Sequence, residues 1–167
     1  MALSVRAATG ADSAAICAIH NAVIAQSAIT FTSVLRDEAD VAARIAGGQP
    51  HWVLDAGGAV QGFATFSAFR AGPGYAHTFE HTIFVAPAAQ GAGAGRALMA
   101  ALEAGARAAG GHVLLAGLSG ENAAGAAFHA ALGFQEVARL AEVGWKLGRW
   151  HDLVLMQKFL SPRGAER

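Results

Sequence analysis

The chemistry of this chain centres on a carboxylate in the middle of a run that favours a β-strand. The stretch GYAHTFEHTIFV (74–85) is rich in aromatic and β-branched residues. Because side chains alternate along a strand, Glu80 faces away from His77 and His81. A buried carboxylate is costly, so Glu80 either pairs with an Arg, lies on a solvated face, or serves as a general base. Its place near the end of a strand that leads into a glycine-rich loop favours the general base.

The same stretch contains the pattern H-x-x-E-H, which zinc proteases carry on a helix. Two histidines at this spacing share a face only when the backbone is helical. On a strand, His77 and His81 would lie about 13 Å apart, too far for one zinc ion. The seven histidines show no other ligand spacing, so the sequence predicts no metal site.

A run of small residues, AAQGAGAGRALMAALE (88–103), follows the strand and leads into a helical pattern. Free N–H groups and the positive end of the helix dipole suit such a helix start to a pyrophosphate. The run does not fit the dinucleotide fingerprint, because the third glycine position holds Arg96 or Leu98. It also lacks the Lys-Ser or Lys-Thr pair of a P-loop. Taken alone, the run is explained equally well as a flexible turn.

Composition limits the class of protein. The 167 residues suit one domain, and 12 Lys and Arg balance 12 Asp and Glu, which indicates neither nucleic acid nor an anionic membrane as a partner. A single cysteine, Cys17, excludes an internal disulfide and fits the reducing cytoplasm. With no leader pattern and no uninterrupted apolar span, we expect a cytoplasmic protein. We expect one domain over residues 1–160 and a disordered tail over 161–167.

The elements that must position these residues alternate between strand and helix. Thr9 and Asp12 have capping-box spacing and predict the start of the first helix. The remaining helices are predicted over 36–47, from the glycine-rich loop to about 109, and over 122–132, with an irregular segment over 28–35. Strands are predicted over 3–8, twice within 51–70, and over 75–85, 112–118, 134–143 and 150–160.

Two motifs resemble the GNAT superfamily of acyl-CoA N-acyltransferases. QGAGAGRAL (90–98) is similar to the family's Q/R-x-x-G-x-G/A loop, and NAAGAAFHAALGF (122–134) is similar to its second motif. Over about residues 3–159, the chain most resembles the phosphinothricin and methionine sulfoximine N-acetyltransferases. The stretches that carry this likeness are GFATFSAFR (62–70), GYAHTFEHTIFVAP (74–87), HVLLAG (112–117) and EVGWKLGRWHDLVLMQ (142–157).

The resemblance implies an α/β (α+β) GNAT fold. In this fold, helices flank a mixed, mostly antiparallel twisted sheet, and acetyl-CoA lies in a V-shaped opening between central strands. Acetyl-CoA would be the co-substrate, and no metal is needed. The residues expected to hold it are Ile83, Phe84, Val85, Gln90, Gly91, Ala92, Gly93, Ala94, Gly95, Arg96 and Asn122.

The resemblance also implies roles for two side chains. Glu80 matches the acidic residue assigned as the base in the similar enzymes. His129 stands where many GNAT proteins carry a tyrosine near the CoA sulfur, and it would protonate the departing thiolate. The alternatives are a helix-surface histidine for His129 and a simple N-cap for Asn122.

The acceptor implied by the resemblance is a small glutamate-like amino acid. Arginine grips a carboxylate with two parallel hydrogen bonds. The expected acceptor-binding residues are the cations Arg70, Lys146 and Arg149 and the apolar walls Phe31, Phe69 and Trp150. The chain departs from the family at TFTSVLRDE (30–38), which lacks the acidic-Thr-Pro stretch of the relatives.

Other functions fit the same residues. A GNAT enzyme for a polyamine or a protein N-terminus is one alternative, and a non-catalytic acyl-CoA-binding sensor is another. Glu80 and His129 argue against the sensor, since a sensor needs neither a base nor an acid. The similar enzymes pair as dimers, so we expect a homodimer.

Overall fold

The computed structural model, which describes residues 3–91 and 93–164, is built on one seven-stranded sheet. The strands are β1 (Ser4–Ala7), β2 (His51–Asp55), β3 (Val60–Ala68), β4 (Thr78–Val85), β5 (Val113–Ser119), β6 (Gln135–Lys146) and β7 (Arg149–Phe159). The helices are α1 (Ser13–Gln26), α2 (Glu38–Ala46), α3 (Ala94–Ala108) and α4 (Ala123–Ala131). The strand order is β1-β2-β3-β4-β5-β7-β6, and only the β4–β5 pair is parallel in the described sheet. This confirms the predicted mixed, mostly antiparallel sheet flanked by helices.

The parallel pair β4–β5 opens soon after it begins. Its ladder joins Thr78–Glu80 to Val113–Leu115 and, within the described chain, goes no further. β4 continues to Val85 in register with β3, whereas β5 continues to Ser119 in register with β7. The two strands therefore part beyond Glu80 and leave the V-shaped opening that the resemblance implies.

Two hydrophobic cores cover the two faces of the sheet. Leu98, Met99 and Leu102 of α3 are fully buried in one core. The helices α1 and α2 cover the other face, where Ile16 packs with Phe63 of β3. Because side chains alternate along a strand, neighbouring residues of a central strand point into different cores. Consecutive residues of β4 therefore belong to opposite sides of the molecule.

Most predicted elements are confirmed, with shifts at their ends. β4 begins at Thr78, not at residue 75, because Pro73–Tyr75 form a short 3-10 turn. Proline fixes φ and has no N–H to donate to a ladder, so it ends the extended chain there. β6 extends to Lys146, past the predicted end at 143, across an irregularity between Leu140 and Gly144.

The capping pair at the start of the first helix is confirmed. Thr9 donates its backbone N–H to a carboxylate oxygen of Asp12 at 2.8 Å. The first turn, Gly10–Asp12, is a 3-10 turn that leads into α1 at Ser13.

Some predictions reach the limits of the described chain. The predicted tail is described only to Gly164, and Ala92 of the glycine-rich loop lies outside the described residues. Over residues 3–91 and 93–164, no helix has the length and apolar character needed to cross a membrane.

Candidate active site

A cavity of about 750 Å³ lies where β4 and β5 part. This volume falls within the range typical of small-molecule sites. Its wall extends from one side of the sheet to the other and is formed by residues of six segments. These are Glu80–Val85, the loop and first turn of α3 (Gln90, Gly91, Gly93, Ala94, Gly95 and Arg96), α4 with its cap (Asn122, Ala124, Gly125, Phe128 and His129), Ala116–Leu118, Leu153 of β7, and a side formed by His20, Val23, Ile29, Thr30, Phe31 and Arg36.

Glu80 is half-buried on the side of the sheet that α1 covers. Burial raises the pKa of its carboxyl group. Within residues 3–91 and 93–164 no cation forms an ion pair with it, so the alternative that Glu80 pairs with an arginine finds no support. A half-buried carboxylate with a raised pKa is suited to accept a proton from an amine.

The glycine-rich loop owes its shape to two glycines with positive φ. Gly91 has φ 88° and Gly93, the N-cap of α3, has φ 78°. Most residues avoid this region because of their Cβ, and glycine does not. Gln90 turns back and donates its side-chain amide to the Val85 carbonyl at 3.1 Å, which ties the loop to the end of β4. The start of α3, with its unpaired N–H groups, is thereby held at the cavity.

Asn122 caps α4 and also lies in the cavity wall. Its side-chain oxygen accepts a hydrogen bond from the Gly125 N–H at 2.9 Å, so Asn122 is the N-cap of this helix, and its contact with acetyl-CoA stays a prediction. The helix approaches α3 closely, because a Cβ on Gly95 would lie 3.0 Å from the Phe128 ring. These contacts place the first turns of α3 and α4 side by side at the cavity.

His129 lies in the cavity wall and is only 3% exposed, so the reading as a helix-surface histidine is wrong. Its Nδ1 lies 2.7 Å from the Gly125 carbonyl, and its Nε2 lies 3.0 Å from Nε2 of His81. Burial lowers the pKa of His129. His81 was not predicted as a site residue. The one sequence signal for it is its position next to Glu80 on a strand, which directs it to the opposite face.

Phe31 is the predicted acceptor-binding residue that lines the cavity. Its ring stacks on His151, with centroids 5.6 Å apart and planes inclined by 21°. The ring also packs against the backbone of Gly144, where an added Cβ would collide with it. The β6–β7 hairpin therefore fixes the orientation of Phe31.

Lys146 does not line the cavity, so the prediction that it binds the acceptor finds no support in this arrangement. Its buried ammonium donates to the carbonyls of Ile24 and Thr30, at 2.7 and 2.8 Å. Burial lowers the pKa of this amine, and a buried polar group requires such partners. Lys146 thus anchors the irregular segment that carries Thr30 and Phe31 to β6.

The other predicted acceptor residues lie outside the cavity wall of the described chain. Arg149 forms a two-bond ion pair with Glu121. Arg70 is exposed, with its guanidinium 5.2 Å from the centre of the Phe69 ring. Trp150 packs edge-on against Trp145 on the outer face of the β6–β7 hairpin. Contact of Phe69, Arg70, Arg149 and Trp150 with an acceptor stays a prediction.

Arg36 is a residue of the cavity wall that the sequence analysis missed. Asn21 of α1 holds its backbone from both sides: Arg36 N–H donates to Oδ1 at 2.7 Å, and Nδ2 donates to the Arg36 carbonyl at 3.0 Å. Burial, followed by the charge of Arg36, lowers the pKa of His20 to about 4. In the sequence, Arg36 begins a polar helix pattern and looks like an ordinary solvated charge.

Comparison with known proteins agrees with this geometry. A model of the acetyltransferase (GNAT) family matches residues 23–134. The L-amino acid N-acyltransferase MnaT of Escherichia coli (strain K12) is 40% identical over 165 residues, 96% of each chain. An L-methionine sulfoximine/L-methionine sulfone acetyltransferase of Salmonella typhimurium is 38% identical over 167 residues, 98% of each chain.

A solved structure shows the same fold. The GNAT superfamily phosphinothricin acetyltransferase of Sinorhizobium meliloti, in complex with acetyl-CoA, superposes with a TM-score of 0.92. It is 32% identical, and the match covers 100% of this chain and 93% of that one. Fold, motifs and full-length relatives agree, and the chain belongs to the acetyltransferase (GNAT) family.

Proposed function

We propose that this chain transfers the acetyl group of acetyl-CoA to the amine of a small amino acid of the methionine sulfoximine or phosphinothricin type. The observation that carries this proposal is the placement of Glu80 in the wall of the cavity that also reaches the start of α3. A base and an anion-binding helix start thus share one cavity. The named relatives act on L-amino acids, methionine sulfoximine and phosphinothricin.

Acetyl-CoA would enter on the side of α3. Its pyrophosphate would lie on the N–H groups of residues 90–96, where Gly91 and Gly93 let the backbone come close. Beyond Glu80, β4 pairs with β3 along one edge only. Because the N–H and C=O groups of alternate residues face opposite edges of a strand, Ile83 and Val85 would offer backbone groups to the pantetheine arm at the other edge, as an added strand would use them. Those of Phe84 face Phe63 of β3.

Direct transfer is the reaction that these residues support. Glu80 would take a proton from the acceptor's ammonium group, and the nitrogen would attack the thioester carbonyl. Cys17 is buried, and burial raises the pKa of its thiol, so it is not a nucleophile for a covalent route. A buried free thiol also suits a reducing compartment, and we propose the cytoplasm as the location.

The charges of the cavity wall favour an acceptor with an anionic group. Arg36 and Arg96 are both part of the wall, whereas Glu80 is its carboxylate within the described chain. A polyamine carries several positive charges and would be repelled by Arg36. An amino acid brings a carboxylate that a guanidinium binds well, and Phe31 supplies an apolar surface for its side chain.

An exposed apolar surface supports the homodimer. Trp145 and Trp150 are each 55% exposed, and Val143 and Leu147 beside them are exposed as well. Contiguous apolar surface of this kind marks protein contacts. We propose that a second copy of the chain covers this face of the β6–β7 hairpin. Trp150→Glu should then give a monomer in analytical ultracentrifugation, and a parent protein that is itself monomeric would contradict the dimer.

Competition between acceptors tests the function. CoA release from acetyl-CoA would be measured with phosphinothricin, methionine sulfoximine, free amino acids, spermidine and a short peptide at equal concentrations. We expect the highest kcat/KM for one of the amino-acid acceptors. Faster acetylation of spermidine or of the peptide would contradict the proposed acceptor. Binding of acetyl-CoA without transfer to any amine would indicate the sensor.

A further inference from the structure

The ring nitrogens of His81 and His129 form a chain of three close contacts between two backbone carbonyls. His81 Nδ1 lies 2.8 Å from the Leu115 carbonyl, and His129 Nδ1 lies 2.7 Å from the Gly125 carbonyl. The two Nε2 atoms lie 3.0 Å apart. Each distance is that of a hydrogen bond, and each hydrogen bond requires one proton.

Counting protons shows that the neutral pair cannot make all three hydrogen bonds. A carbonyl oxygen only accepts, so each Nδ1 must carry a proton to bond with it. A neutral imidazole has one N–H, so both Nε2 atoms would then be acceptors facing each other. Moving a proton from Nδ1 to Nε2 in either ring only transfers the conflict to a carbonyl. Three protons on the two rings satisfy every contact.

We propose that His81 and His129 share one extra proton and act as a single acid that protonates the thiolate of CoA as it leaves. This inference rests on the proposed function. His129 is the ring that the α4 motif places near the sulfur, and His81 is a positioning residue that orients it and shares its proton. Both rings are part of the cavity wall.

The surroundings make the shared proton easy to lose. His81 and His129 are 7% and 3% exposed, and a buried charge is costly. Burial, followed by the charge of His129, lowers the pKa of His81 to about 3. The rings pack on Phe134, with centroids 5.5 and 5.1 Å from its centre. The three hydrogen bonds favour the extra proton, whereas burial disfavours it. A proton held in this balance passes readily to the thiolate, because the pKa of a thiol is higher.

No charged group of the described neighbouring elements offers the pair a counter-ion. Glu80, next to His81 on β4, points to the opposite face. Lys158 of β7 lies behind Phe134, 5.8 Å from its ring centre, and pairs with Glu103 of α3 at 2.6 Å. β3 presents Phe66 opposite His81, and the adjoining stretch of β5, Leu115–Gly117, is uncharged. With their Nε2 atoms 3.0 Å apart, the two histidines would titrate as one unit.

The step balances as follows. The ammonium group of the acceptor first gives one proton to Glu80, which passes it to solvent. The free amine then forms a bond to the acetyl carbon, the surplus proton of that nitrogen passes to Glu80, and the C–S bond breaks with its electron pair on sulfur. The thiolate takes the proton from His129, so the pair falls from three protons to two and from one positive charge to none. After CoA has left, Glu80 releases its proton to solvent and the pair takes one from solvent, so each turnover releases one proton in total.

The protonation state of the two rings can be measured without an activity assay. It is given by the ¹⁵N chemical shifts of the four ring nitrogens in ¹⁵N-histidine-labelled protein. At the pH of maximal kcat, we expect both Nδ1 atoms to be protonated and one proton to be shared by the Nε2 atoms. That proton should be lost in one step as the pH rises, together with kcat. Two neutral rings with unprotonated Nε2 atoms at that pH would overturn the proposal.

Variants test the catalytic part. His129→Asn should lower kcat roughly 10²-fold and His81→Asn about 10-fold, with little change in KM for acetyl-CoA. His81→Asn should also move the alkaline limb of the kcat profile, which a purely structural role would not do. His51→Asn is the matched control, because His51 is also buried with Nδ1 on a carbonyl, that of Gln49 at 2.9 Å. It should lose thermal stability and keep the parent profile.

The outcomes separate this inference from the proposed function. Acetyl transfer by the parent protein is measured first, and its absence with every amine overturns the proposed function and the acid role together. If the parent protein transfers acetyl groups but its Nε2 atoms carry no shared proton, the shared proton is overturned and the proposed function stands. An unchanged pH profile in folded His81→Asn overturns the part assigned to His81.

Discussion

The carboxylate of Glu80 lies against Gly117: a Cβ added to Gly117 would come 2.8 Å from Oε1 of Glu80. Glu80 is opposite Leu115 in the last recorded pair of the β4–β5 ladder, and Gly117 is the next residue of β5 on that face. Real Cβ atoms do not approach an oxygen so closely. The glycine therefore provides the space in which the proposed base rests as the two strands part.

Gly117→Ala should reduce catalysis without unfolding the protein. The added methyl group would push the Glu80 carboxylate from its place, and misplacement of a catalytic group by about 1 Å can cost 10²-fold in rate. We expect kcat to fall at least about 10-fold, while acetyl-CoA still binds. Steady-state kinetics and calorimetry measure the two effects. Gly74→Ala is the control, since its Cβ would meet no atom within 4 Å. A kcat equal to that of the parent in Gly117→Ala would contradict the proposed position of the base.

The features that local patterns predict are the strand of Glu80, the helix start after the glycine-rich loop, and the cap at Asn122. Each depends on residues close in the sequence: alternation along β4, glycines before α3, and an Asn whose side chain bonds to Gly125 three residues on. The fold class also followed from the sequence, through its resemblance to a family.

The features that the sequence did not reveal depend on distant contacts. Lys146 bonds to the carbonyls of Ile24 and Thr30, 122 and 116 residues away, and no local pattern distinguishes such a lysine from a surface one. His81 meets His129 across 48 residues. Arg36 lies in the cavity wall, and its backbone is held there by hydrogen bonds to Asn21, 15 residues away.

Gly93→Val tests the binding of acetyl-CoA. Gly93 has φ 78°, which a β-branched residue adopts only under strain, and the valine side chain would stand at the start of α3. We expect the affinity for acetyl-CoA to fall by about 10-fold or more, from the loss of at least one charge-assisted hydrogen bond. Isothermal titration calorimetry measures this change.

The control for that variant is Gly58→Val, in the turn between β2 and β3. Gly58 also has positive φ, 95°, and open space around its Cβ position, but it lies outside the cavity wall. The two variants should lose similar thermal stability, and Gly58→Val should bind acetyl-CoA like the parent. Equal affinity in both variants would argue against a pyrophosphate on this loop.

Arg36 and Arg70 make competing predictions for the carboxylate of the acceptor. Arg36 lies in the cavity wall, whereas Arg70 stacks over Phe69 outside it. If Arg36 binds the carboxylate, Arg36→Gln should raise KM for methionine sulfoximine roughly 10- to 100-fold, the value of a hydrogen bond to a charged group. KM for acetyl-CoA should change little. Arg44→Gln, which removes an exposed charge paired with Asp40 at 2.9 Å, is the control.

The same assay decides between the two arginines. A large rise in KM for Arg70→Gln, with Arg36→Gln unchanged, would show that the acceptor reaches beyond this cavity. In that case the effect of Arg70 should disappear with Trp150→Glu if a second copy completes the site. No change in KM in either variant would contradict recognition of a carboxylate by these arginines.

Glu80→Gln tests the base itself. The amide keeps the size of the side chain but cannot accept a proton from the acceptor's ammonium group, so kcat should fall roughly 10²–10⁴-fold. Binding of acetyl-CoA should be unchanged, because Glu80 lies on the α1 side of the sheet. Burial raises the pKa of Glu80, so the acid limb of the parent kcat/KM profile should lie above the pH at which an exposed glutamate titrates. The loss of kcat in the variant should shrink at high pH, where free amine is already abundant. A folded variant whose kcat is within about threefold of the parent value would show that Glu80 is not the general base.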